Sequence, residues 1–129
     1  MIRSGILNPH VLSLVARVRH TNTLVIADRG FPSWPGLETV DLSLVDDVPT
    51  VAQVVAALLA NWTVGRAFMA EEFLQVNPAG ARERIATLLG TVPCDFEPHV
   101  QFKLRVPRSV GLIRTGDTTQ YANMILESA

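Results

Sequence analysis

Acid–base and nucleophilic chemistry have few possible seats in this chain of 129 residues, which contains three histidines, one tyrosine and one cysteine. Lys103 is its only lysine. His20 lies on a polar turn just before an apolar run. An imidazole, with an ordinary pKa of about 6.5, can give or take a proton at neutral pH. The alternative is a surface histidine in a helix-exit loop. Asp28 ends the apolar run Thr23–Ala27. Its carboxylate either binds hydroxyls or orients a histidine, or it caps the following turn. Tyr121 and Asn123 share a face at strand period. A ring between two polar groups suits a sugar; the other reading is a tyrosine on the rim of the core.

The remaining candidates are less pointed. His99 follows Pro98 at a helix start and is uninformative alone, and His10 is read as solvent-facing in a first helical turn. A compact ammonium at Lys103, where arginine is otherwise used, hints at a specific role. Glu71 and Glu72 could form a ligand pair, but a solvated first helical turn, favoured by the helix dipole, is the preferred reading. Cys94, between Pro93 and Asp95, has no base beside it and reads as structural. There is no Gly-rich phosphate loop, no H-E-x-x-H and no G-x-S-x-G.

The elements that must position these groups alternate. Asn8-Pro9 opens a helix over residues 9–18, with an asparagine cap and proline in the first turn. Thr23–Ala27 reads as a strand buried on both faces, residues 29–36 as a Gly/Pro loop, and Val40–Leu44 as a half-buried strand. Thr50 and Gln53 have capping-box spacing, followed by apolar residues at helical spacing to Trp62. Arg66–Ala70 is a further strand. Asn77-Pro78 repeats the cap-plus-proline opening, for a helix ending at Gly90. A short strand follows near 92–96. The segment from His99 to Arg108 is left open. Val110–Arg114 and Tyr121–Leu126, separated by Gly116-Asp117, predict a closing hairpin. This alternation predicts a single three-layer α/β/α domain over residues 1–129, with a central mixed, largely parallel sheet.

Composition excludes several classes. With 11 basic and 12 acidic residues the net charge is −1, so no basic face is available for nucleic acid. No apolar run approaches the roughly 20 residues needed to span a membrane. One cysteine leaves no internal disulfide or multi-cysteine metal site. The N-terminus has no signal-peptide pattern. The expectation is a cytoplasmic protein without a membrane or nucleic-acid partner. Charged residues make up only 18%, below the roughly 25% of an average domain, which suggests a surface partly covered by another protein.

Taken in order, these residues resemble the D-ribose pyranase family and its sister, the L-fucose mutarotases. The series runs from Gly5-Ile-Leu-Asn8 through Arg19-His20-Thr21, Asp28, Asp41-Leu-Ser-Leu44 and Ala70-Glu71-Glu72 to Asn77-Pro78. It continues with His99-Val-Gln-Phe102-Lys103, Arg114-Thr-Gly116-Asp117 and Tyr121-Ala122-Asn123. The resemblance implies an isomerase that interconverts cyclic forms of a free monosaccharide, needs no metal or cofactor, and passes through the open-chain aldehyde. It implies His20 as the catalytic proton donor, and Asp28, His99 and the segment Tyr121-Ala122-Asn123 as substrate-binding, with Lys103 as a secondary candidate. It also implies an oligomeric ring, two pentamers stacked into a homodecamer, with sites near subunit boundaries. Arg29 stands where the family carries a small residue, and Trp34 is an additional aromatic. Arg29 could meet an acidic or larger substrate, and Trp34 could stack on a sugar or fill a subunit contact. Ala122 is the residue of the ribose branch. The alternatives are an L-fucose-type mutarotase and a non-catalytic sugar-binding module.

Overall fold

The computed structural model describes residues 1–129. Its elements, in chain order, are α1 (Pro9–Ala16), β1 (Thr23–Ala27), β2 (Thr39–Asp41), α2 (Val51–Leu59), β3 (Val64–Ala70), α3 (Glu72–Val76) and α4 (Ala81–Leu89). They continue with β4 (Cys94–Glu97), α5 (His99–Arg105), a 3₁₀ turn (Val106–Arg108), β5 (Gly111–Arg114) and β6 (Met124–Ser128). The strands form one sheet in the order β2-β5-β1-β6-β3-β4. Pairings β1/β5, β2/β5 and β3/β4 are parallel, whereas β6 runs antiparallel to both β1 and β3.

β1 shows why the sheet needs helices on both faces. Leu24, Val25, Ile26 and Ala27 are all fully buried. Leu24 and Ile26 join a large core with Val11 and Leu14 of α1, Val54, Val55 and Leu58 of α2, and Leu89 of α4. Val25 and Ala27 point the other way, into a smaller core with Phe31, Phe102 and Val106. A five-residue strand without a polar side is thus explained by a layer on each face. The α/β/α expectation holds, with a mixed sheet.

The helix caps follow the sequence in two places. The Asn8 side chain accepts from the His10 and Val11 amides. Thr50 and Gln53 form a complete capping box on α2.

Several expectations are corrected. The closing hairpin does not form, because β1 lies between β5 and β6. The connection instead crosses the end of β1, where the Thr115 amide and hydroxyl both donate to the Ala27 carbonyl at 2.8 Å. Tyr121 and Asn123 therefore precede β6 rather than lying on it, and Tyr121 takes a left-handed φ of 58°. Asn77 does not cap α4. Its amide reaches back to the Phe73 carbonyl and across to that of Gln120, and α4 starts after Gly80, at φ 94°. β2 stops at Asp41, whose carboxylate accepts from the Ser43 amide and hydroxyl and turns the chain away. Residues 99–105 are helical.

Candidate functional site

The C-terminal end of β1 opens into a pocket of about 280 Å³ whose lining residues are mostly polar. That is just below the roughly 300–1,000 Å³ typical of drug-sized ligands, and so fits a small polar molecule. Three segments line it: Asp28 and Gly30–Pro32 after β1, His99 and Lys103 on α5, and Gln120, Tyr121 and Asn123 before β6. The antiparallel insertion of β6 beside β1 brings the start of one strand to the end of the other. Residues 95 positions apart can therefore touch.

Asp28 and Asn123 bond reciprocally. The Asp28 amide donates to Asn123 Oδ1 at 2.7 Å, and Asn123 Nδ2 donates to Asp28 Oδ2 at 3.0 Å. The Gly30 amide donates to Asp28 Oδ1 at 3.0 Å. Burial raises the Asp28 carboxyl above its ordinary range, and the hydrogen bonds from Gly30, Asn123 and Phe31 oppose that rise. The loop behind is gathered by Arg114, which stands beside Ala27 in the parallel register. One guanidinium nitrogen donates to the carbonyls of Asp28, Arg29 and Phe31.

His99 forms the facing wall. Tyr121 meets its ring edge to face at 5.0 Å, and Phe102 lies 6.0 Å away. Burial and the neighbouring Lys103 ammonium hold the imidazole below its ordinary value, against the opposing pull of Glu72 and Asp28. Its Nε2 is buried without a hydrogen-bond partner within the chain. Such a nitrogen loses bonding energy unless something polar comes to it. Carboxylate, amide, imidazole and ammonium around a small space can hold several hydroxyls at once.

The pocket thus collects five of the sequence candidates: Asp28, His99, Lys103, Tyr121 and Asn123. It does not collect His20 or the Ala122 side chain. Ala122 is buried and lines a different, mainly apolar cavity of about 190 Å³, walled by Val51, Phe73, Ile85 and Leu88 with Arg84, Asp117 and Thr119 also on its lining. His20 is exposed at the other end of β1, about 17 Å away for five residues at about 3.3 Å each.

Arg29 and Trp34 are otherwise engaged. Arg29 pairs with Asp46 at 2.6 Å, and Trp34 stacks on Phe31 with 6.0 Å between ring centroids. Phe31 itself lines the pocket, so Trp34 acts as the backing of an aromatic wall. Cys94 is half-buried beside Asp95, and burial foremost pushes its thiol up to about 12. That keeps it protonated at neutral pH and agrees with a structural role. No group of three His, Cys, Asp or Glu side chains could hold a metal ion.

Gln120, Phe31, Pro32 and Arg114 do not stand out individually as site residues in the sequence, and Glu72, expected in a solvated first helical turn, instead accepts from the His99 amide. For Phe31 and Pro32 the signal was available: a Gly/Pro-rich loop directly after a carboxylate at a strand end.

Fold and pocket together define an α/β protein with a small cleft, lined mostly by polar residues, at the end of a central strand. More specifically, the chain belongs to the RbsD / FucU transport protein family, whose model matches residues 1–129. It is 41% identical over 128 residues to the D-ribose pyranase of Geobacillus kaustophilus, covering 99% of this chain and 93% of that protein. It is 40% identical over 129 residues to the D-ribose pyranase of Halalkalibacterium halodurans, covering 99% and 97%. Among solved structures it superimposes on RbsD of Bacillus subtilis complexed with D-ribose, with TM-score 0.91, 32% identity and 100% and 98% coverage. The fucose mutarotase of Streptococcus pneumoniae, in complex with L-fucose, shares the fold at 17% identity, TM-score 0.76 and 95% and 92% coverage.

Proposed function

We propose that this chain is an isomerase that interconverts the pyranose and furanose forms of free D-ribose. The reading is carried by one coincidence: near-full-length similarity to D-ribose pyranases, in a chain whose pocket is lined mostly by polar residues and is the size of a small ligand. Likeness to the L-fucose enzyme extends to the fold, which favours ribose over fucose.

The chemistry needs one group to take the anomeric hydroxyl proton and another to protonate the ring oxygen as the C1–O bond breaks. The resulting aldehyde is then attacked by a different hydroxyl, and the proton transfers run in reverse. Asp28, His99, Lys103, Tyr121 and Asn123 hold the sugar hydroxyls. Residues 121–123 contribute through backbone as well as side chain, since Ala122 lines a different cavity. His20 is the proton donor. It cannot reach the pocket of its own chain, so a second copy must bring it. Assembly into a ring, two pentamers forming a decamer, fits that requirement. Val100 and Leu104, exposed on α5 beside the pocket, fit such a contact. No helix is long and apolar enough to cross a membrane, and we place the reaction in the cytoplasm.

Saturation-transfer NMR on ribose tests the reading. Exchange between pyranose and furanose signals should grow with added protein and vanish in His20→Ala. Ribose that binds without accelerated exchange would instead select a non-catalytic binding module.

A further inference from the structure

β3 is followed directly by Glu71-Glu72 at the start of α3, and the two carboxylates have different surroundings. Glu71 makes no cap on α3, and its amide continues the parallel ladder by donating to the Glu97 carbonyl at 2.8 Å. Glu72 turns its carboxylate on the start of α5. Both of its oxygens lie 3.0 Å from the His99 amide. Helix α5 begins after Pro98, which has no side chain able to cap it. Free amides at a helix start need acceptors, and here a carboxylate 27 residues earlier is the acceptor.

The element so held carries two pocket residues. His99 opens α5 and Lys103 lies one turn further on. The β3/β4 ladder, with Ala70 opposite Glu97, fixes both strand ends in register, so Glu72 and Pro98 cannot drift apart independently. The groups around the imidazole come from four places: Lys103 on α5, Asp28 after β1, Tyr121 before β6, and Glu72 on α3.

We propose that Glu72 is a positioning residue for His99: its carboxylate anchors the first amide of α5 and keeps the imidazole edge-on to Tyr121 at the pocket wall. Glu72 also supplies negative charge to a histidine that burial and Lys103 bias toward its neutral form. The role rests on the ribose reading only where sugar is measured.

The test is an NMR titration of the histidine imidazoles in the full-length protein and in Glu72→Gln. His99 is assigned by its loss in His99→Gln, and His10 serves as the internal reference. Glutamine keeps an acceptor for the His99 amide but removes the charge. The His99 midpoint should fall, and the acidic limb of the exchange rate should move to lower pH. Ribose affinity should stay within about threefold. Glu72→Ala loses the acceptor as well, and should weaken ribose binding by about tenfold, the effect of losing a charge-assisted hydrogen bond. A His99 midpoint in Glu72→Gln that is unchanged or raised overturns the proposal, whether or not the alanine variant folds. Failure of the unmodified protein to bind ribose would instead overturn the sugar assignment and leave the titration to judge Glu72.

Discussion

At one end of β1 the Asp28 carboxylate is bonded to Asn123 and Gly30, half-buried, and backed by a loop that Arg114 gathers by three carbonyls. At the other end the backbone is equally well held. The Thr21 amide donates to the Ser128 carbonyl at 3.1 Å, and the Arg19 amide donates to Asn22 Oδ1 at 2.9 Å. Yet the His20 side chain on that rigid turn is exposed and meets no hydrogen-bond partner in the chain. One end is built to receive a small molecule. The other presents an imidazole outward on a fixed platform. In the proposed reading one chain supplies the sugar-holding groups, whereas the proton donor acts on another copy's pocket.

The largest effect should come from separating the two ends. His20→Ala should lower exchange by about 10² to 10⁴, the usual worth of a positioned acid or base, and leave ribose affinity within about threefold. Asp28→Ala should lose binding. Mixing the two inactive variants under conditions of subunit exchange should restore part of the activity, since some mixed contacts pair an intact His20 with an intact pocket. No recovery in assemblies shown by native mass spectrometry to be mixed would mean that the comparison is wrong and that His20 is not used in trans.

A smaller and opposite pair of effects is expected at the two asparagines. Asn123→Ala removes a donor and an acceptor from the buried end at once. A lost hydrogen bond to a charged group costs roughly 1.5–3 kcal/mol, so ribose affinity should fall by about 10- to 150-fold. Asn22→Ala loosens the exposed turn that carries His20. It should lower the exchange rate by less than tenfold without moving ribose affinity, because the site it disturbs is not the binding site. Calorimetry for affinity and NMR exchange for rate separate the two. An equal loss of affinity in both would erase the distinction between the ends.

The sequence made the well-paired end easier to read than its geometry. Asp28 was legible as the residue that stops a fully apolar strand, because ligands of α/β sheets gather at that end. Tyr121 and Asn123 were legible as a pair, but for a reason that fails: strand periodicity suggested a shared face, whereas a left-handed turn puts both in the pocket. The hairpin reading failed for a related reason. Two strands near in sequence with a turn between them look paired, and nothing local reveals that β1 lies between them. Long-range pairing also hid the roles of Arg114 and Glu72. Arg114 matters because parallel register sets it beside Ala27, and Glu72 because the β3/β4 ladder delivers it to α5. Neither fact exists in any short window of sequence. The helices with apolar periodicity and capped starts were the most legible, since α1 and α2 are specified locally.

The smallest expected effect concerns pH and lies wholly at the pocket end. His99 has its pKa lowered from 6.5 in the folded chain, by burial first and by Lys103 second. As pH falls through 6.5, the unfolded chain takes up a proton that the folded chain resists. The unfolded state then binds more protons, so this contribution to stability is present above the ordinary value and is lost as pH falls below it. Thermal unfolding should therefore show Tm declining between about pH 7.5 and about pH 5.5. In His99→Gln the decline should be shallower, while His20→Gln controls for removing an imidazole from the opposite end of β1. Ribose should oppose the decline, because a bound sugar occupies the wall against which His99 would otherwise be protonated. A slope that His99→Gln leaves unchanged would show that the imidazole is as free to charge in the pocket as in the unfolded chain. The pocket would then lose its clearest electrostatic feature.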